Sequence, residues 1–285
     1  MADESNPAIG KSVKTGDFNT NYLEAGEDKG GTPVILMHGS GPGVTAYANW
    51  RGIIPILAEH FHVLAPDMVG FGYSDRPDGI EYNCQVWADQ TYAFMQAVGI
   101  EKANLVGNSF GGSNAIRLTT DHPEAVERLV LMGSMGVDFP IVEGQGLDTI
   151  WGYEPSVENM AQAIRTMAYG DELAQNENLA EARYQASIEP GFHEAFSAMF
   201  PAPRQRWVQS QITAADKIRS IKQETLVIHG REDQVIPLST SYALHQMIDR
   251  ADLQVFAHCG HWVQIEREAD FALSLINFFN RAEVK

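Results

Sequence analysis

Ala103-Asn-Leu-Val-Gly107-Asn-Ser109-Phe-Gly111-Gly112 is the stretch that decides the fold. Residues 103–106 read as a short buried strand, and a helix-length segment opens after Ser109. Between them lies Gly-x-Ser-x-Gly. A serine on so tight a strand-to-helix turn needs small residues two positions before and after it, because those positions approach each other. The turn lifts the hydroxyl off a sheet and aims a helix N-terminus at it. The five-residue pattern occurs by chance on its own. A strand before it and a helix after it give it force over a serine in an ordinary turn.

The same grammar recurs on either side. Pro33-Val-Ile-Leu-Met37 stops at His38-Gly39-Ser40-Gly41-Pro42-Gly43, and His62-Val-Leu-Ala65 stops at Pro66-Asp67 and Gly70-Phe-Gly72. Arg128-Leu-Val-Leu-Met132 ends at Gly133, Thr225-Leu-Val-Ile228 at His229-Gly230, and Leu253-Gln-Val-Phe256 near Cys259-Gly260-His261. Most of these runs are continuously apolar, as strands covered on both faces are. A hairpin is expected at 12–13 and 20–23. Helices are expected at 85–98, closed by Gly99, at 239–247 and at 266–279, where Phe271, Leu275, Phe278 and Phe279 form one stripe. Alternating strands and helices predict an α/β fold: a mostly parallel twisted sheet with helices on both faces.

One region breaks the rhythm. Residues 139–212 contain no strand-like run and are rich in aromatics and methionines, among them Trp151, Met167, Phe196 and Phe200. The segment is too long for a bare loop. It is expected to be a helical cap over the C-terminal ends of the strands, where open α/β sheets bind ligands. The plainer alternative is extra helices packed on the core. The expected division is a core of 1–138 and 213–285 with a cap of 139–212.

Composition narrows the function. The chain has 285 residues, 44% apolar and 20% charged, with a net charge of −17. A core of that size needs no disulfide or metal staple. So acidic a chain lacks the basic footprint that nucleic acid or anionic lipid requires. No apolar stretch approaches the length of a membrane span. Met1-Ala-Asp-Glu-Ser5 carries no apolar signal core, and a soluble, cytoplasmic protein is expected. Two cysteines, Cys84 and Cys259, make neither a disulfide framework nor a four-cysteine zinc site. His258-Cys-Gly-His261 and His60-x-His62 lack the usual zinc spacings, and no nucleotide-binding glycine motif is present. No metal and no cofactor are expected.

A serine is inert at neutral pH without a base, and the base needs a carboxylate to orient it. With a Gly-x-Ser-x-Gly turn the chain order is serine, acid, histidine. His261, just past the last strand, fits the base, with His258 as the near rival; His38 and His229 suit loop structure. Asp233, after the penultimate strand, fits the acid, with Glu232 beside it. A developing oxyanion needs two donors: the N–H of Phe110 and one from the first glycine-rich loop, taken as Ser40 with Gly41 adjacent. Each donor is worth about 100- to 1000-fold in rate.

Longer stretches carry a closer resemblance. His38-Gly-Ser-Gly-Pro-Gly-Val-Thr-Ala-Tyr-Ala-Asn-Trp50, Ala65-Pro-Asp-Met-Val-Gly-Phe-Gly72, Gly107-Asn-Ser-Phe-Gly-Gly112, Trp151-Gly-Tyr-x-Pro-Ser156, Arg183-Tyr-x-Ala-Ser-Ile188 and His229-Gly-Arg-Glu-Asp233 resemble the meta-cleavage product hydrolases of the α/β-hydrolase superfamily. The resemblance runs from about residue 10 to 280. Within the family it is nearest to the branch that serves phenol, toluene and xylene breakdown. It implies cleavage by water of the C5–C6 bond of a 2-hydroxy-6-oxohexa-2,4-dienoate, a small-molecule partner, and a homo-oligomer. It also implies roles: Arg183 for the substrate carboxylate, Asn49 and Asn108 near the dienoate oxygens, Trp262 as a pocket wall. Met135 falls where the family varies residue size with the C6 substituent, and a methionine there implies a small one. A carboxylesterase on the same fold is the competing reading. A cation in the cap separates the two, because a neutral ester does not need one. Ser109 excludes the enzymes of this fold that use an aspartate nucleophile, and a non-catalytic binding protein would not be expected to keep all three triad candidates.

Overall fold

The computed structural model describes residues 6–282. Eight strands form one sheet: β1 (Lys11–Thr15), β2 (Phe18–Ala25), β3 (Val34–Met37), β4 (Val63–Pro66), β5 (Ala103–Asn108), β6 (Val126–Met132), β7 (Glu224–Gly230) and β8 (Ala251–Phe256). Their order is β1-β2-β4-β3-β5-β6-β7-β8. The β1–β2 hairpin joins antiparallel, and every pairing from β4 to β8 is parallel. β5, the strand that delivers Ser109, therefore lies inside the sheet between β3 and β6.

Strands β3, β4, β5 and β7 are buried at every residue, which is why their sequences do not alternate. Successive side chains point to opposite faces. Ile35 and Met37 join the core with Trp87, Phe94 and Phe110. Val34 and Leu36 join the other core, with Trp50, Phe271 and Leu275. Helices Cys84–Ala97, Phe110–Asp121 and Leu238–Met247 cover the first face. Helices Ala46–Trp50, Ile53–Ala58 and Glu268–Asn280 cover the second. The expected strands and long helices are present within a few residues.

Three local differences have physical reasons. The hairpin is longer than expected, because its polar residues pair on an edge where no apolar run is needed. The short helix Ala46–Trp50, capped by the Thr45 side chain on the Ala48 N–H, is too brief to show a periodicity. The expected helix 266–279 is Glu268–Asn280, and an unexpected short helix, Val263–Glu266, precedes it across a break at Arg267. There the Glu266 carboxylate turns back to accept the Gly260 and Trp262 N–H groups.

Between β6 and β7 the chain forms helices and no strand among the described residues. Helices Leu147–Trp151, Val157–Met167, Glu177–Ser187 and Phe192–Met199 carry its large side chains inward. Trp151 stacks on Phe200 with ring centroids 4.3 Å apart, and its Nε1 donates to Ser40 Oγ in the loop after β3. Among the described residues no helix is long and apolar enough to cross a membrane.

Asp67, at the end of β4, fastens the loops beside the site. It accepts from the N–H groups of Ala46 and Tyr73 and from Asn21 Nδ2. It is fully buried, and burial raises its carboxyl to a pKa of about 6 despite these bonds. Between the unfolded value near 4 and about 6 the folded state holds this proton more tightly than the unfolded chain does. Asp67 therefore favours folding at the acid end of that window and loses this contribution as pH rises through about 6. Urea unfolding at pH 5 and pH 7 should show this slope in the wild type. Asp67→Asn, which cannot titrate, should lack it.

Candidate active site

Ser109 follows β5 directly and precedes helix Phe110–Asp121. Its backbone sits at φ 55°, ψ −116°, a region costly for a residue with a side chain. Three hydrogen bonds hold it there: Ser109 N–H to the Met132 carbonyl, and the Met135 and Gly112 N–H groups to the Ser109 carbonyl. The flanking glycines are required by space. A Cβ on Gly107 would lie 2.5 Å from the Gly112 Cα, and one on Gly111 would run into the carbonyls of Met37 and His38.

Asp233 lies on the loop after β7. Its Oδ1 accepts from the Val235 and Ile236 N–H groups at 2.7 and 2.9 Å. Its Oδ2 meets His261 Nδ1 at 2.7 Å and His229 Nε2 at 3.2 Å. Burial alone would raise this carboxyl. His261 beside it and the hydrogen bonds from both imidazoles outweigh that and hold it well below the ordinary carboxylate range. An ionised Asp233 fixes the proton of a neutral His261 on Nδ1 and leaves Nε2 as the acceptor.

His261 is held by its backbone. Its N–H donates to the Met167 carbonyl at 2.7 Å. Glu266 accepts from Gly260 and Trp262 on either side and from Tyr169 N–H at 2.7 Å. The loop carrying the imidazole is thus tied to the end of helix Val157–Met167. The competing residues are occupied elsewhere. His258 is exposed and meets the Tyr169 hydroxyl. Glu232 accepts from Cys259 N–H and pairs with Arg231. His38 is buried, its pKa pushed down to about 4 by burial; its Nδ1 donates to the Gly39 carbonyl and its Nε2 accepts from Met68 N–H. His229 bridges Ser241 and the Ile236 carbonyl and serves the pair from behind, its Nε2 lying 3.2 Å from Asp233 Oδ2.

One cavity collects most of the candidates. Ser40, Gly41, Asn49, Asn108, Ser109, Arg183, His261 and Trp262 all line it. Phe110 and Met135 are fully buried and do not. The Phe110 N–H begins the helix and, like the first donors of any helix, has no acceptor within it; Met135 touches Ser109 through its backbone. Residues not anticipated from sequence supply an apolar wall, including Val44, Leu147, Ile150, Val235 and Ile265, together with one polar side chain, Gln264. They come from four separate segments and show no local pattern that would have announced them.

Arg183 projects from helix Glu177–Ser187. Its guanidinium carbon lies 4.7 Å from the centroid of the Trp262 ring. Its Nε is sealed from solvent and has no hydrogen-bond partner among the described residues. Desolvation, with a smaller contribution from Arg51, pushes its pKa down to about 10, still a cation at neutral pH. No group of three or more His, Cys, Asp or Glu side chains among the described residues is placed to hold a metal ion.

A strained serine elbow, a buried Asp–His pair and a glycine-rich loop on a mostly parallel sheet define a hydrolase of the serine type on an α/β scaffold. The family model for the alpha/beta hydrolase fold matches residues 32–268. The chain is 53% identical to the 2-hydroxymuconate semialdehyde hydrolase of Pseudomonas sp. CF600, covering 99% of this chain and 98% of that one. It is 50% identical to the 2-hydroxy-6-oxo-2,4-heptadienoate hydrolase of Pseudomonas putida F1, covering 98% of each. It superposes with a TM-score of 0.93 on a serine-to-alanine variant of the meta-cleavage product hydrolase of Pseudomonas fluorescens IP01 complexed with acetates, at 50% identity, covering 98% of this chain and 100% of that one. The chain belongs to the meta-cleavage product hydrolases of the α/β-hydrolase fold.

Gly133 gives a test of the Asp–His geometry. A Cβ there would stand 3.1 Å from His261 Nδ1 and 3.3 Å from Asp233 Oδ2, at a φ of +51°. Gly133→Ala should push the imidazole off its carboxylate. The low-field Nδ1 proton in the NMR spectrum should shift or broaden, and hydrolytic turnover should fall roughly tenfold or more, since displacements under 1 Å are felt at this level.

Proposed function

We propose that the protein hydrolyses the C5–C6 bond of 2-hydroxy-6-oxohexa-2,4-dienoates with a small C6 substituent, giving 2-hydroxypenta-2,4-dienoate and a carboxylic acid. One observation carries this reading beyond a general esterase: an arginine with no anionic partner among the described residues lines the same cavity as Ser109 and His261. A neutral ester does not call for that cation. A dienoate carboxylate does, and a guanidinium fork pairs two oxygens at once.

The chemistry follows from where electrons can go. A carbon–carbon bond breaks badly when a bare carbanion must leave. Moving the 2-hydroxyl hydrogen to C5 gives a 2-oxo tautomer. Attack at the C6 carbonyl, by Ser109 Oγ or by a water it orients, then gives a tetrahedral oxyanion. Collapse breaks C5–C6 and sends the electron pair into the 2-oxo acid as a dienolate, which takes up a proton as the hydroxydienoate. Water supplies the hydroxyl of the acid product. In this scheme His261 moves the protons, and Asp233 orients it and stabilises the imidazolium. The Phe110 N–H and the Ser40 loop receive the oxyanion, while Arg183, Asn49 and Asn108 hold the carboxylate end. Residues 139–212 act as a cap that closes over the bound dienoate, with 1–138 and 213–285 as the core. Met135, packed in the core behind the elbow, would back the C6 end of the cavity without lining it. The working partners are the dienoate and water.

The ring-fission products of catechol, 3-methylcatechol and 2,3-dihydroxybiphenyl are yellow, and their loss is followed by absorbance. The first two should be bleached rapidly, the third slowly. Ser109→Ala should reduce bleaching at least about 1000-fold. Preference for the biphenyl product would overturn the small C6 pocket. Hydrolysis of simple esters without any bleaching would move the protein to the esterase reading.

Arg183→Gln tests the carboxylate contact separately. It should raise KM for the dienoates about 10- to 100-fold, the usual worth of a charged hydrogen bond, while leaving the melting temperature near that of the wild type. An unchanged KM would remove Arg183 from the binding site.

A further inference from the structure

Gln264 stands three residues past His261, in the short helix Val263–Glu266. It is 1% exposed and lines the cavity that holds Ser109 and Arg183. Both ends of its amide, Oε1 and Nε2, are sealed from solvent and have no hydrogen-bond partner among the described residues. Leaving either end of a buried amide unpaired is costly. Methionine or leucine would fill the same volume without that cost, so packing does not account for a glutamine here.

The surroundings say what would pair with it. Two other residues lining this cavity keep unpaired donors: Asn49 at Nδ2 and Arg183 at Nε. Trp262, two residues before Gln264, lies under the Arg183 guanidinium, so the turn that carries Gln264 is the turn against which the cation rests. Taken together, the unpaired atoms are three donors and a single acceptor, Gln264 Oε1. A ligand that satisfies the set offers several acceptor oxygens and one hydrogen to donate. A carboxylate alone has no hydrogen to give. A carboxylate with a hydroxyl on the adjacent carbon has both.

We propose that Gln264 recognises the 2-hydroxycarboxylate end of the substrate. Nε2 donates to an acceptor oxygen at that end, and Oε1 accepts the 2-hydroxyl hydrogen. The assignment rests on the proposed function above and deepens it by naming the residue that reads the hydroxyl. Substrate and hydroxydienoate product share this group, so the contact is made at both ends of the reaction. Its loss therefore appears in binding more than in the chemical step.

The test uses Gln264→Met, which keeps the volume and removes both hydrogen-bonding ends. KM for the catechol ring-fission product should rise about 10- to 100-fold with kcat changed less than about threefold. Inhibition by 2-hydroxypenta-2,4-dienoate and by penta-2,4-dienoate, which lacks the hydroxyl, provides the second readout. The wild type should bind the hydroxylated acid more tightly, and the variant should lose that preference. A variant with an unchanged KM and an intact preference would overturn the proposal, provided the wild type cleaves the dienoate. A wild type that does not cleave it would overturn the function reading instead. If Gln264→Met does not fold, Gln264→Glu carries the test. It keeps the shape and sets a carboxylate against the substrate's own, so KM should rise further, and an unchanged KM would again overturn the assignment.

Discussion

Backbone meeting backbone at the serine elbow is the contact on which the rest of this structure depends. The start of helix Phe110–Asp121 lies so close to the ends of β3 and β5 that no side chain fits at Gly107 or Gly111. That closeness forces Ser109 into a positive φ, a strain of order 1–3 kcal/mol that persists only where surroundings over-determine it. Here hydrogen bonds from two neighbouring segments do so. The hydroxyl is thereby placed by the sheet rather than by a flexible loop. Every other group in the cavity has to reach a point that the central strands have already set.

The groups that reach it are charged in a deliberate pattern. The chain as a whole is strongly acidic, yet a half-buried cation, Arg183, lines the cavity, while Asp233 does not line it and meets His261 instead. Asp233 is stabilised by two imidazoles and two backbone donors, so its charge is answered behind the cavity. Arg183 makes no ion pair among the described residues, and on the proposed function its charge answers the substrate carboxylate. An acidic exterior slows the approach of an anion, whereas a local unscreened cation holds it once inside.

Sequence reading reached different depths in different places. The elbow and each buried strand are local patterns visible within ten residues, and the serine–acid–histidine order follows from which strand each candidate succeeds. Asp233 and Glu232 are adjacent, and only the loop geometry shows that Asp233 takes the imidazole while Glu232 turns to the Cys259 N–H. Arg183 was legible through family resemblance alone, since an arginine on a polar helix face is ordinary by composition. Gln264 and Glu266 were not legible. Glu266 acts by capturing Tyr169, nearly a hundred residues away, and Gln264 stands out only because its amide is buried without partners. Such long-range facts leave no local trace. Met135 shows the converse: its position was foreseen, but its side chain packs in the core while its backbone serves the serine.

The tie between His261 and helix Val157–Met167 has a consequence for the base. The backbone N–H of His261 is spent on the Met167 carbonyl, and the neighbouring loop is latched to Tyr169 through Glu266. Any displacement of that helix end would therefore be felt at the catalytic base.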